Sequence, residues 1–145
     1  KGFRVMAIDT GLGATASFAS LGLSLKIVSM DIGDQTLPNV NVSTLASTNF
    51  EEYIPGDLAE PGTVTFECQF DNAQSQISTG TVDTLTVTLP LSTGGTTAGT
   101  WVGTGFINSV KSQNFVKNEL QMQTIVWQFD GGANSGTEPT FTAQV

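Results

Sequence analysis

A short stretch in the middle of the chain alternates strictly between apolar and polar residues and predicts a β-strand. The apolar positions share one side and the polar positions the other, which is the period of two that a half-buried strand requires. The apolar side consists of Val64, Phe66, Cys68 and Phe70. The preceding residues, 54–62, contain two prolines and two glycines, which predict a turn and exclude a continuous helix. The fold must therefore place a bend directly before a strand that buries one face.

Further strands are predicted on both sides of this one. Residues 85–91 alternate leucine and valine with threonine, and Pro90 ends that strand or places its end at a sheet edge. Residues 101–110 form another strand, in which Gly103 and Gly105 indicate close backbone packing or a bulge. Shorter strands are predicted at residues 14–19 and 37–42. Residues 3–7 are predicted as a short strand or an extended arm, and residues 141–145 as a closing strand or a loose tail.

Two strands change phase along their length. In residues 23–32, the apolar side changes between Ile27 and Val28, which predicts a β-bulge or a strand buried on both faces. In residues 120–129, Leu120 is out of phase with Ile125, which predicts a second bulge.

The pattern as a whole predicts an all-β fold in a single domain, residues 1–145. About seven or eight strands separated by turn signals are typical of a β-sandwich or barrel. The exception is residues 43–60, a long loop without alternation, in which one short helical turn within residues 43–52 is compatible with Ser43 or Thr44 as a cap.

This long loop carries more apolar bulk than a solvated loop should display. We expect these side chains to contact neighbouring subunits and to become ordered in an assembly. The alternative is that they pack onto their own sandwich. The residues are Leu45, Phe50, Tyr53, Ile54 and Leu58.

The charge distribution argues against nucleic-acid binding. Thirteen acidic residues oppose five basic ones, for a net charge of −8, and no Lys or Arg lies between Ile27 and Val110. Such a surface repels phosphates, although solubility alone is an equally good reason for the bias. No apolar run approaches the roughly 20 residues of a membrane span, so a soluble chain without membrane contact is expected.

The residues that most enzymes need are missing from the sequence. It has no histidine, and its one cysteine, Cys68, is in phase with the buried side of its strand, which predicts a buried thiol. Asp31 and Asp34 lack the rest of a calcium loop. Glu67 and Asp71 are about 13 Å apart by strand rise, too far for a glycosidase pair. We expect no catalytic site, no metal and no cofactor.

Several motifs, in order, resemble the major tail (tail tube) protein of long-tailed bacteriophages, in a siphophage-like form. The main motif is residues 54–71, which read IPGDLAEPGTVTFECQFD. Residues 84–91 (TLTVTLPL) and 100–107 (TWVGTGFI) follow, and residues 13–19 and 25–31 resemble the opening strands. The short polar linker at residues 72–80 departs from the family, many members of which have a helix near the middle of the chain.

The resemblance implies a structural subunit that forms six-membered rings stacked into a tube. It also implies partners: further copies of the chain, the tape measure protein, the tail terminator, and baseplate or distal tail proteins. Genomic DNA would pass through without specific binding. The location would be the virion tail, after synthesis in the host cytoplasm. The candidates for the lumen lining are polar strand residues, namely Glu67, Gln69, Asp71, Gln121 and Gln123.

Two other functions remain open. One is a β-sandwich binding module, such as a carbohydrate-binding or adhesin domain, which would use exposed aromatic side chains. Its candidates are Tyr53, Trp101 and Trp127, although the two tryptophans lie within strand alternation and are expected in the core. The other is a tail-tip or baseplate ring protein of related fold.

Overall fold

A computed structural model describes residues 11–23, 25–71, 73, 75–111, 115–134 and 138–145. Within these residues the chain forms nine strands and no helix. The strand predicted at residues 3–7 lies outside the described residues. The strands are β1 (Thr15–Phe18), β2 (Lys26–Ile32), β3 (Asn39–Asn41), β4 (Tyr53–Pro55), β5 (Thr63–Gln69), β6 (Val82–Thr88), β7 (Thr100–Lys111), β8 (Met122–Phe129) and β9 (Thr140–Thr142).

Seven of the strands form one antiparallel sheet with the order β1-β6-β7-β8-β5-β2, and β9 pairs with β7. The remaining two, β3 and β4, pair only with each other. The strand order places β1 and β2 at opposite ends of the sheet. Each of them therefore has one backbone edge that no other described strand pairs with.

The large sheet curls so that its two ends face each other across one core. Phe18, on β1, packs against Phe66 on β5 at a ring-centroid distance of 6.1 Å and against Trp127 on β8 at 5.4 Å. The prediction of an all-β, sandwich-like fold is confirmed. The buried apolar side chains are Val64, Phe66, Cys68, Leu85, Val87, Ile107, Ile125, Trp127 and Phe129.

The first predicted phase change is a β-bulge. Ile27 pairs with Cys68 and Ser29 with Glu67, so Val28 is the extra residue on β2 without a partner on β5. Bulges of this kind bend a strand and redirect side chains. The bulge lies on an end strand of the sheet.

The second predicted bulge, in residues 120–129, is wrong. β8 pairs with β5 in unbroken register from Met122 to Gln128, and the irregularity lies on β7, between Ile107 and Ser109. The sequence pattern predicted a bulge here because Gln123 is polar, yet Gln123 occupies a core-facing position in phase with Ile125. A single polar residue on the buried face was therefore read as a shift of the strand.

The long loop also differs from its prediction. Residues 53–55, expected to begin a turn, form β4 and pair with β3, and a bridge between Thr36 and Glu60 continues the ladder toward the body. Pro55 is compatible with this because β4 lies at an edge. The helical turn that the sequence allowed within residues 43–52 is a single hydrogen-bonded turn and not a helix: Ser47 donates its backbone N–H to the carbonyl of Thr44. We call residues 36–60 the arm.

Candidate assembly surfaces

The arm is a two-stranded ribbon that continues the β2–β5 pair away from the core. Gly33 donates its N–H to the carbonyl of Thr63 at 2.7 Å, and the ladder then passes through the Thr36–Glu60 bridge to β3 and β4. Every residue of β3 and β4 is exposed. Because an isolated two-stranded ribbon is marginally stable in water, the arm depends on contacts beyond its own strands.

The five apolar residues predicted to contact other subunits all lie on the arm, and all are exposed in the single chain. The alternative prediction, that they pack onto their own sandwich, does not describe the structure. Val40 faces Ile54 across the ribbon, so two branched apolar side chains form a pair on one face. The arm therefore presents apolar surface with no partner among the described residues.

The five residues predicted to line a lumen do not share one surface. Glu67 and Gln69 are exposed on the outer face of β5, where Glu67 accepts a hydrogen bond from Ser29 Oγ at 3.2 Å. Gln123 lies opposite Cys68, faces the core and is only 7% exposed. Because side chains alternate across a sheet, Gln123 and Glu67 point to opposite faces.

The other two candidates take intermediate positions. Gln121 is half-buried, and its carbonyl accepts the N–H of Phe70 at 2.8 Å. Asp71 lies 3.8 Å from Lys26 Nζ in a solvent-exposed ion pair. This contact offsets its charge, so Asp71 contributes less negative potential than the sequence suggests.

The outer face of β2, β5, β8 and β7 also contains charged residues that the sequence pattern did not assign to it. Asp31 pairs with Thr65, and Lys111 pairs with Thr124, so both lie on the same side as Glu67. Strand register decides this grouping, and register between distant strands is not readable from one sequence. Lys26 and Lys111 make the face less acidic than the region between residues 27 and 110.

An open cleft separates the two ends of the curled sheet. Its volume is about 710 Å³. One wall is the turn at residues 11–14 together with Val87, Leu89, Pro90 and Ser92, and the other is formed by residues 27–30 and Ile32 of β2. Gly13 has a φ of +96°, and Ala14 donates its N–H to the carbonyl of Gly11 at 3.3 Å, so the chain reverses where β1 begins. The side chains lining the cleft, all from the described residues, carry no charge.

The aromatic residues considered for a binding module are not brought together. Trp127 is fully buried in the core, as its strand phase predicted. Trp101 is half-buried and packs against Phe141 at 5.3 Å. Tyr53 is exposed on the arm and hydrogen-bonds to Glu51. A platform of exposed rings, which sugar binding would need, is not formed by these three residues.

Two carboxylates are held by hydrogen bonds instead of facing a ligand. Asp83 is buried and accepts the backbone N–H groups of Ser20 and Leu21, both within 3.0 Å, which fastens the end of β1. Partial burial acts to raise the pKa of Asp130, but its hydrogen bonds, including one from Thr104, outweigh this and lower the pKa overall. Among the described residues, no three His, Cys, Asp or Glu side chains form a group that could hold a metal.

Burial makes the Cys68 thiol unreactive. It is fully buried between β-strands, and desolvation raises its pKa to about 11. At pH 8 only about one thiol in a thousand is then ionised, and the thiolate is the reactive form. We expect an aromatic disulfide reagent to label Cys68 of the native chain only as fast as the chain unfolds. In urea, the same reagent should label Cys68 immediately. Rapid labelling of the native chain would contradict this burial.

Several solved structures contain chains with a fold similar to this one. One neighbour is a chain of the sheath/tube terminator of PVC, an extracellular contractile injection system in its extended state, with a TM-score of 0.69, 14% identity, and coverage of 97% of this chain and 100% of that one. Another is a chain of the anti-feeding prophage tube-terminating cap, with a TM-score of 0.69, 13% identity, and coverage of 99% and 96%. This chain shares its fold with subunits of contractile injection systems.

A third neighbour with this fold comes from a baseplate. It is a chain of the 6-fold symmetrised anti-feeding prophage baseplate, with a TM-score of 0.65, 11% identity, and coverage of 97% and 98%. The sequence itself matches no protein-family model and no curated protein. No described helix is long and apolar enough to cross a membrane.

Proposed function

We propose that this chain is a structural subunit of the tube of a phage-like tail, which assembles into rings that stack. The observation that carries the proposal is the arm: an exposed apolar ribbon on a fold that matches a tube terminator along nearly the full length of both chains. Large exposed apolar patches on a soluble chain mark interaction sites. In this proposal, the partner of the arm is another copy of the chain.

Rings follow from the kind of contact that an arm makes. An arm of one copy contacts a different surface on the next copy, which is a head-to-tail interface. Such interfaces repeat until the rotation closes a ring, or continue as a helical filament. Six copies per ring is our proposal, supported by the sequence resemblance and by the 6-fold symmetry of the baseplate that contains a structural neighbour.

The remaining elements of the proposal concern what the tube contacts. Its partners would be the tape measure protein inside, a terminator at one end and a baseplate at the other, all in the virion tail. DNA would pass through without specific binding. Glu67 and Gln69, which face solvent, remain the candidates for the lining, whereas Gln123 is buried in the single chain. The proposal requires no catalysis, in keeping with the absence of histidine from the sequence and with the burial of Cys68.

A second candidate is a ring protein at the end of the tube, either a terminator, a cap or a baseplate component. It is supported by the full coverage of the terminator chain and the near-full coverage of the cap and baseplate chains. The two candidates differ in one respect. A tube subunit binds itself on both sides of a ring, whereas a terminal ring binds copies of itself only within one ring.

Electron microscopy of the purified chain over a range of concentrations tests both candidates. We expect hollow tubes of variable length above a critical concentration and monomers below it, measured in parallel by light scattering. Single rings that never stack would support the terminal-ring candidate instead. A chain that stays monomeric at millimolar concentration would contradict both.

A further inference from the structure

We infer that the cleft between the β1 turn and β2 receives the arm of a second copy of this chain, with β3 as the inserted strand. This inference rests on the proposed function, because it names the surface that the arm contacts within the assembly. The arm and the cleft are separate parts of one chain, so each copy can both give an arm and accept one.

The cleft offers a strand edge as well as apolar walls. β2, which forms one wall, pairs only with β5 among the described strands, so its other backbone edge is unpaired. An unpaired edge is a template on which an extended segment adds as another strand. β3 brings a free edge of its own, because it pairs only with β4.

The bulge on β2 supplies an apolar side chain that the core does not use. Ile27 and Met30 pack against the core, whereas Val28 lines the cleft and remains 60% exposed. Without the bulge, strict alternation from Ile27 would place the Val28 side chain on the outer face of the sheet, with Ser29 and Glu67. A valine held at the mouth of an apolar cleft is suited to contact an inserted apolar strand.

The size of the cleft fits one strand of the arm. A residue in a sheet occupies about 160 Å³, from a rise of about 3.3 Å, a strand spacing of about 4.8 Å and a sheet spacing of about 10 Å. A volume of about 710 Å³ therefore holds about four extended residues. β3, with three residues and Val40 at its centre, fits this space, and β4 would remain outside.

The charge distribution favours β3 over β4 as the inserted strand. It also favours the cleft over the other hollow as the place of insertion. Each copy carries a net charge of −8, so copies repel unless the contact is made by uncharged surfaces. Residues 35–50, which include β3, contain no charged side chain, whereas β4 is flanked by Glu52 and Asp57. The cleft lining is also uncharged, whereas a smaller hollow of about 290 Å³ at the base of the arm includes Asp34.

Photo-crosslinking identifies the occupant of the cleft directly. Benzoylphenylalanine placed at Val28 is irradiated in assemblies made from equal amounts of unlabelled and ¹⁵N-labelled chain, and the crosslinked peptides are identified by mass spectrometry. We expect crosslinks to peptides within residues 36–50 that join one labelled and one unlabelled chain. The same probe at Val82, an exposed valine on β6, is the control and should not capture these peptides. Crosslinks from position 28 to another segment, or only within single chains, would overturn the inference.

A substitution gives an independent test. Val28→Asp is expected to raise the critical concentration at least about tenfold, because a carboxylate in an apolar contact must be desolvated without a partner. Val82→Asp, at a valine that is 43% exposed, should change it little. Circular dichroism confirms that both variants fold. If wild type assembles and Val28→Asp assembles equally well, this inference fails and the proposed function stands. A wild-type chain that never assembles overturns both.

Discussion

The double substitution Leu45→Ser and Phe50→Ser is expected to leave the subunit folded and to abolish its assembly at concentrations where wild type assembles. Both side chains lie in the arm, with exposures of 108% and 84% in the single chain, so their removal takes nothing from the core. Burying each against a partner contributes about 1.5 to 3 kcal/mol, and about 1.4 kcal/mol corresponds to a factor of ten. The critical concentration should therefore rise at least about a hundredfold.

The matched control replaces two exposed residues of the same types outside the arm. Phe115 and Leu120 are 69% and 70% exposed, so Phe115→Ser with Leu120→Ser makes the same chemical changes at exposed positions, although it removes somewhat less exposed apolar area. We expect this variant to assemble near the wild-type concentration, and both variants to keep the wild-type melting temperature. Sedimentation measures assembly, and hydrogen exchange adds a second readout: amides at residues 44–58 should exchange rapidly in the monomer and slowly in the assembly. Unchanged assembly of the arm variant would contradict the role assigned to the arm.

Gly105→Ala is expected to destabilise the fold by about 3 kcal/mol or more, toward the upper end of what a single overpacking substitution does. Gly105 lies in the middle of the sheet, opposite Asp83 on β6 and Phe129 on β8. A methyl group there would collide with the backbone carbonyl oxygen of Gln128. Backbone cannot move aside as a flexible side chain can, so the β7–β8 pairing itself must be displaced.

The effect is large because a domain of this size has only about 5 to 15 kcal/mol of stability in total. Urea unfolding followed by tryptophan fluorescence measures the loss. Gly11→Ala is the matched control, because among the described residues no atom outside its chain neighbours lies within 4 Å of the position of an added methyl group. Equal stability of the Gly105 and Gly11 variants would show that β7 and β8 are not packed as closely as described.

Much of the fold could be predicted because local alternation directly reports which face of a strand is buried. Val64, Phe66 and Cys68 are buried as their spacing indicates, and Leu85 and Val87 follow the same rule on β6. The bulge at Val28 was predicted for the same reason, since an extra residue changes the phase of the pattern within one strand. The exposure of the apolar loop residues agrees with their lack of any alternation with the core strands.

The composition also limited the chemistry without reference to any structure. A chain with no histidine and one cysteine in a buried phase lacks the groups on which most catalytic and zinc sites depend. The acidic bias of residues 27–110 likewise argued against a nucleic-acid interface.

The sequence by itself thus determined the all-β class, the buried faces of the main strands, the position of one bulge and the apolar excess of the arm. Only the tertiary structure decided that Gln123 is buried, that Asp31 and Lys111 share a face with Glu67, and that an uncharged cleft lies between the turn before β1 and β2. The physical reason is the distance along the chain between the residues that determine each feature. Alternation is a property of neighbouring residues, whereas strand order, register and the curl of the sheet depend on contacts between residues far apart in the chain.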